Sequence, residues 1–225
     1  MIEIIPTCVP SRSDELSDCA QVARKFASSL HIDIDDGVFA THRTWPYAEN
    51  GRFEDVTLPD LHGLAPEAHL MTLEPRALGE AFARAGAARV VGHVEGFADN
   101  REIYAALASW RALGAEVGLG LLFHTPLDVV APYVAECDTV HLMTIATIGT
   151  QGIPYEKSAP VRIAEFHARF PGALISVDGG VSESNIEDLA RAGARRFGVG
   201  SAIFRADDPA GAYRRLKSLA ENALE

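Results

Sequence analysis

The sequence predicts an α/β chain closed into a (β/α)8 TIM barrel, on three observations. Short apolar runs rich in β-branched residues alternate with longer Ala-rich amphipathic segments along the chain. Eight such runs fit within 225 residues. The same joint, a helix then Gly-Ala then a strand, recurs in "FARAGAARVV", "WRALGAEVGL" and "LARAGARRFGV", the mark of a repeated βα unit. An open, doubly wound sheet is the alternative. The length suits one domain of the larger single-core kind, spanning 1–225.

In chain order the strands are read as "IEIIPT", "LHIDID", "AHLMTL", "RVVGHVE", "EVGLGLLF", "TVHLMTI", "LISVDG" and "RFGVGSA". Each is a short apolar run bounded by turn formers. Helices are expected over 12–29, 75–86, 99–113, 126–135, 158–169, 182–193 and 208–223. The last two, "SESNIEDLARAG" and "DPAGAYRRLKSLAENA", open on a capping residue, and the first of these closes on Gly193. The segment 38–67 carries Pro46, Pro59 and Pro66 and has no sustained helical period. It reads as a long loop with at most a short or irregular helix, and long ordered loops often serve as lids.

Composition narrows the function classes. The formal charge of −11 argues against nucleic acid as a partner, because neutralising phosphates takes clustered Lys and Arg. Cys8, Cys19 and Cys137 are odd in number and widely spaced, which fits neither a disulfide framework nor a zinc ribbon. The N-terminus "MIEIIPTCVP" lacks a signal-peptide pattern, and no apolar run is long enough for a bilayer. The expectation is a cytoplasmic protein with no membrane partner.

The stretch "HIDIDDG", residues 31 to 37, departs from an ordinary buried strand. His31, Asp33 and Asp35 alternate with Ile32 and Ile34, so the polar residues share one face. In a (β/α)8 barrel the catalytic groups sit where inward-facing side chains reach the C-terminal ends of the strands. Polar residues recur near other strand ends: His69, His93 with Glu95, His141 with Thr144, and Asp178. Two His and two Asp (His31, Asp33, His69, Asp178) would suit a divalent transition ion, and zinc, iron, manganese and cobalt all accept that donor set. A buried ion pair capping the core is the structural alternative for His31 and Asp33.

"VDGGV" and "GVGSAIF" follow the last two strands, where such barrels often hold a phosphate on backbone N–H groups. Gly179, Gly180, Gly200 and Ser201 are the candidates, and "TIGTQG", residues 147 to 152, is a third glycine-bearing loop. Tight βα turns are the alternative explanation for these glycines.

These segments together resemble the ribulose-phosphate 3-epimerases. "HIDIDDGVF" is similar to the family's His-x-Asp-x-Met-Asp-Gly segment, "AHLM" to its His-Leu-Met and "HVEG" to its His-x-Glu. "LMTIATIGTQG" is similar to its Met-Thr-Val-Asn-Pro-Gly-Phe-Gly-Gly-Gln loop, and "SVDGGVSESNI" with "GVGSAIF" to its phosphate-binding elements. The resemblance runs nearly end to end and implies a barrel of the ribulose-phosphate-binding type. It implies that His31, Asp33, His69 and Asp178 are metal ligands, with Asp33 and Asp178 doubling as acid–base carboxylates. It also implies that Thr7, Met71 and Met143 contact substrate, while Gly149, Gly179, Gly180, Gly200 and Ser201 cradle its phosphate.

The implied reaction inverts C3 of a ketose phosphate, D-ribulose 5-phosphate to D-xylulose 5-phosphate, through a metal-stabilised ene-diolate. A phosphorylated sugar is the expected small-molecule partner and a homo-oligomer the expected assembly. Asp35 stands where the family has Met, and the loop after the sixth strand lacks the usual Asn-Pro. Arg43 is a candidate partner for Asp35. His42, Arg43, Trp45 and Tyr47 are expected to pack rather than to form a lid. Two alternatives follow: an epimerase of another phosphosugar such as allulose 6-phosphate, or a non-catalytic phosphosugar-binding paralogue. The Asp-x-Lys-x-x-Asp motif of related decarboxylases and aldolases is absent from the sequence.

Overall fold

The computed structural model describes residues 1–149 and 153–225. The chain begins with β1 (Glu3–Cys8), α1 (Ser13–Ala23) and β2 (Ser29–Asp35), followed by a small hairpin, β3 (Tyr47–Glu49) and β4 (Arg52–Phe53). β5 (Ala65–Met71), α2 (Arg76–Arg84), β6 (Arg89–His93), α3 (Asn100–Ala112) and β7 (Glu116–Leu121) come next. β8 (Thr139–Met143), α4 (Ala159–Arg169), β9 (Ile175–Asp178), α5 (Ile186–Ala192), β10 (Ala194–Val199), α6 (Ser201–Phe204) and α7 (Pro209–Asn222) complete the order. Among the described residues, eight parallel strands close a barrel in the order β1-β10-β9-β8-β7-β6-β5-β2. The closed-barrel reading therefore holds and the open sheet falls.

The seam between the first and last barrel strands pairs Glu3 with Arg196, and Arg196 Nε lies 3.0 Å from Glu3 Oε2. Helices cover the outside of the barrel with one apolar stripe each. On α3 that stripe is Ile103, Ala106, Leu107 and Trp110, the i, i+3, i+4, i+7 spacing of a half-buried helix. Asp99 caps α3 by accepting from the Arg101 and Glu102 N–H groups at 2.8 and 3.0 Å. Asp208 caps α7 through the Gly211 N–H at 2.9 Å, with Pro209 at the first helical position.

Several expected elements change. Segment 126–135 forms 3-10 turns, Leu127–Val129 and Ala131–Glu136, because Pro126 and Pro132 interrupt the α-helical hydrogen-bond ladder. The helix expected over 12–29 stops at Ala23. The 38–67 segment contains no helix and instead carries the β3–β4 hairpin, while Ala65, Pro66 and Glu67 belong to β5. Its aromatic residues pack: Trp45 meets the Phe82 ring edge-on with centroids 5.7 Å apart, and the Trp45 backbone N–H donates to the Pro10 carbonyl. Cys8 and Cys19, distant in sequence, touch across β1 and α1 as free thiols with their sulfurs 2.7 Å apart. No helix among the described residues is long and apolar enough to cross a membrane.

The α2–α3 contact depends on a missing side chain. Trp110 is fully buried, its indole N–H donates to the Arg76 carbonyl at 3.0 Å, and a Cβ on Gly79 would sit 2.3 Å from the ring. Replacing a helical Gly by Ala gains about 1 kcal/mol of propensity, while overpacking a core costs about 1–3 kcal/mol. Gly79→Ala is therefore expected to lower the thermal midpoint, and a scan showing a rise would contradict the packing described.

Candidate active site

The polar face of β2 presents His31, Asp33 and Asp35 to the barrel interior, with Asp33 opposite His69 and Asp35 opposite Met71 on β5. On β5 the same alternation aligns Glu67, His69 and Met71. β8 supplies His141 and Met143, and β9 supplies Ser176 and Asp178. His31, His69, His93 and His141 are all fully buried. Buried imidazoles at this density need partners, and each has a specific set.

His31 Nδ1 lies 2.6 Å from Glu67 Oε1, and its Nε2 lies 3.0 Å from Asp33 Oδ1. His69 Nδ1 meets the same Asp33 oxygen at 2.9 Å, and its Nε2 meets His93 Nε2 at 2.9 Å. His141 Nδ1 is 3.0 Å from Ser176 Oγ. Behind His31, Glu67 Oε2 is 3.0 Å from Arg89 Nε, and the Arg89 guanidinium donates twice to Glu3 at 2.8 and 2.9 Å. A carboxylate fixed behind an imidazole sets its tautomer and leaves the other nitrogen for the site. Gly198 makes room on β10, since a Cβ there would lie 2.6 Å from Asp178 Oδ1.

The network separates the acidic groups by protonation. Burial alone would raise Asp33, but the imidazoles of His31 and His69 hold it well below the usual carboxylate range. Burial, reinforced by the charge of Asp33, pushes Asp178 up to about 7. Burial and the charges of Asp33 and Asp36 push Asp35 up to about 8. Burial opposes the charged form of His31, yet Asp33 and Glu67 raise it well above its ordinary value. Burial and the neighbouring imidazoles hold His141 neutral, well below its ordinary value.

A cavity of about 200 Å³ opens at the C-terminal ends of the strands. Thr7, Asp33, Met71, Met143, Gly149, Asp178, Gly179, Gly180, Gly200 and Ser201 all line it. His31 and His69 are not among its walls. Asp33 and Asp178 thus belong both to the cavity wall and to the imidazole cluster beneath it. Thr150 to Gly152 of the third glycine-bearing loop lie outside the described residues. Its apolar collar, formed by Met71, Met143, Ile145, Ile148 and Ile153, packs with Ala40, Phe39 and Leu122 in one cluster.

Asp35 reaches the cavity with Oδ1 buried and without a hydrogen-bond partner. Arg43 is not that partner: it donates to Asn50 Oδ1 at 3.3 Å. A larger cavity of about 510 Å³ lies beside α2 and α3, lined by Glu74, Arg76 and Phe97 among others. It contains none of the cluster.

A family model described as the ribulose-phosphate 3 epimerase family matches residues 4–204. The chain belongs to that family. As a ribulose-phosphate 3-epimerase family member it is an isomerase-class epimerase. It is 32% identical over 202 residues to the ribulose-phosphate 3-epimerase of Aquifex aeolicus, covering 88% of this chain and 87% of the other. It is 31% identical over 219 residues to that of Mycobacterium tuberculosis, covering 95% and 91%. The cytoplasmic isoform of Oryza sativa is 29% identical over 226 residues, covering 98% and 95%.

Among solved structures, 3-hexulose-6-phosphate synthase from Salmonella typhimurium superposes with a TM-score of 0.70 at 17% identity over 99% of this chain and all of the other. KGPDC from Streptococcus mutans gives 0.68 at 13% identity, covering 100% of each chain. Likeness at that identity shows the shared barrel.

The donor set fits a divalent ion of the kind the family uses. One ligand atom from each of His31, His69, His141 and Asp178 falls within 4.8 Å of the others. That group holds His141 where the expected set had Asp33, and Asp33 Oδ1 adjoins it, 3.0 Å from His31 Nε2 and 2.9 Å from His69 Nδ1. Sequence reasoning missed Glu67, Arg89 and Glu3 as supports of this cluster. The signal for Glu67 was its position two residues before His69 on one strand face.

Glu67 lends itself to a stability measurement. Burial alone would raise its pKa, but the His31 imidazole and the guanidinium groups of Arg89 and Arg196 bring it from 4.5 down to about 2. A carboxyl depressed in the folded state binds fewer protons folded than unfolded. Its contribution, of order 3 kcal/mol at most, is complete above about pH 4.5 and is lost as pH falls toward 2. In chelator-treated protein, urea unfolding of wild type and Glu67→Gln should differ most near neutrality, with the gap narrowing below pH 4.5. A gap independent of pH would contradict an ionised Glu67.

Proposed function

We propose that the protein is a metal-dependent epimerase that inverts C3 of D-ribulose 5-phosphate to give D-xylulose 5-phosphate. The observation that carries this reading is the double placement of Asp33 and Asp178, which join the imidazole cluster to the cavity wall. His31, Asp33, His69 and Asp178 would hold the ion. When bound, a divalent ion supplies Lewis-acid stabilisation of the negative charge that develops on the carbonyl and hydroxyl oxygens of the sugar.

The remaining steps belong to side chains. Inversion removes the C3 proton from one face and returns a proton to the other, so it needs two proton carriers. Asp33 is ionised and has a vacant site for a proton, though its imidazole partners make it a weak base, whereas Asp178, pushed up to about 7, is suited to give or take one near neutral pH. Exchange of these roles serves the reverse reaction. Met71 and Met143 would pack against the reacting carbon without competing for its proton. Thr7 lines the cavity with its Oγ1 buried and without a partner and would meet a substrate oxygen. Gly149, Gly179, Gly180, Gly200 and Ser201 would receive the phosphate on backbone N–H groups.

The deciding measurement is deuterium incorporation at C3 of D-ribulose 5-phosphate in D₂O, followed by NMR. Metal-loaded wild type should incorporate deuterium and form xylulose 5-phosphate. A chelated sample should not, and Asp178→Asn should lose roughly 10²-fold or more of the rate. Folded, metal-loaded protein that exchanges nothing would refute the substrate assignment. Phosphosugar binding with no turnover in any condition would favour the non-catalytic alternative, although both proton carriers are present.

Asp35 favours a second reading, epimerisation of another phosphosugar such as allulose 6-phosphate. A carboxyl oxygen without a partner at the cavity wall can hydrogen-bond a substrate hydroxyl that a Met would exclude. On this reading Asp35→Met lowers kcat/KM for allulose 6-phosphate about tenfold or more and leaves ribulose 5-phosphate unchanged or improved. An equal effect on the two sugars would remove Asp35 from substrate choice.

A further inference from the structure

His141 has no role in the reading above, and its surroundings are unlike those of an ordinary core residue. It is fully buried on β8. Its ring centroid is 4.5 Å from that of His69 and 5.6 Å from that of His31. Ser176 Oγ holds Nδ1 at 3.0 Å, while Nε2 is buried and has no hydrogen-bond partner. Leaving such a nitrogen unsatisfied in a closed barrel is unfavourable, and an apolar side chain would fill the position without that penalty.

The three imidazoles are arranged alike. His31 is anchored through Nδ1 by Glu67, His69 through Nε2 by His93, and His141 through Nδ1 by Ser176. Each has one nitrogen tied to a residue behind it; the other faces Asp33 Oδ1 in His31 and His69 and has no partner in His141. The ligand atoms of these three residues and of Asp178 lie within 4.8 Å of one another.

We propose that His141 is a ligand of the divalent ion, a third imidazole delivered from β8 in addition to His31, Asp33, His69 and Asp178. This rests on the metal-dependent reading of the site. Three imidazoles and two carboxylates make a nitrogen-rich centre, which shifts preference toward zinc, cobalt or iron(II) and away from manganese or magnesium. Ser176 is then a positioning residue that fixes the His141 ring.

X-ray absorption on the zinc-loaded wild-type protein counts imidazole ligands directly, with no need for a variant to fold. Three imidazoles are expected, against two if His141 stands aside. Competition with a chromophoric chelator should show His141→Leu and His141→Gln each losing about tenfold or more in zinc and cobalt affinity, with a smaller loss for manganese. The visible absorption of the cobalt-loaded form should change in both variants, and Ser176→Ala should weaken cobalt binding less than either.

Two imidazoles in wild type, with metal affinity unchanged in both variants, would overturn the role of His141 while leaving a four-ligand metal site standing. Wild-type protein that binds none of these ions stoichiometrically would overturn both. His31→Ala, which removes a ligand common to either arrangement, should abolish tight binding and confirms that the assay reports on this cluster.

Discussion

The constraint on which the rest of the structure depends is that a closed barrel must satisfy every charge placed inside it. Arg89, Glu67, His31 and Asp33 do this as one chain of contacts rising through the interior, with spacings of 3.0, 2.6 and 3.0 Å. Removing one member would leave its neighbours charged and unpaired in a dry environment, which is far worse than removing the whole set. The chain also fixes strand register. A slip of one residue in β2 or β5 would turn His31 or Glu67 out of the barrel, so the contacts that orient the imidazole also hold the strands in place.

Much of this was legible in the amino-acid order. The alternation in β2 marked His31, Asp33 and Asp35 as one face, and strand-end positions brought out His69 and Asp178. Each is a local pattern, visible because strand geometry has period two. What stayed hidden depends on contacts between distant segments. Arg89 looked like a polar strand start, since arginine is rarely buried without a partner, and its partners Glu3 and Glu67 lie on other strands. Pro66 drew Glu67 into a loop reading although it belongs to β5. His141 was visible as a polar strand residue, but its relation to Ser176, His69 and His31 exists only once the barrel closes. The hairpin at Tyr47–Glu49 and Arg52–Phe53 was too short for alternation to register.

The cavity adds a second kind of order. Beneath it lie imidazoles and carboxylates tied to one another; around it lies a collar of aliphatic and sulfur-bearing side chains. A small polar ligand would meet charge on one side and apolar surface on the other, an environment that keeps water from competing for the same donors. Asp35 interrupts the division by carrying a carboxyl oxygen with no partner to the wall.

The seam between β1 and β10 has a consequence for how the chain reaches this state. Glu3 pairs with Arg196 across the closure and with Arg89, so both ends of the chain contribute to one partly buried electrostatic unit. A chain emerging from the ribosome presents Glu3 and Glu67 long before Arg196 is available. Half-built barrels would then expose strand edges and hold a Glu3 carboxylate with Arg89 beside it but without its second partner, Arg196. Closure of the ring, which brings Arg196 to Glu3 and removes the open strand edges together, is then the event that commits the whole molecule to its native state.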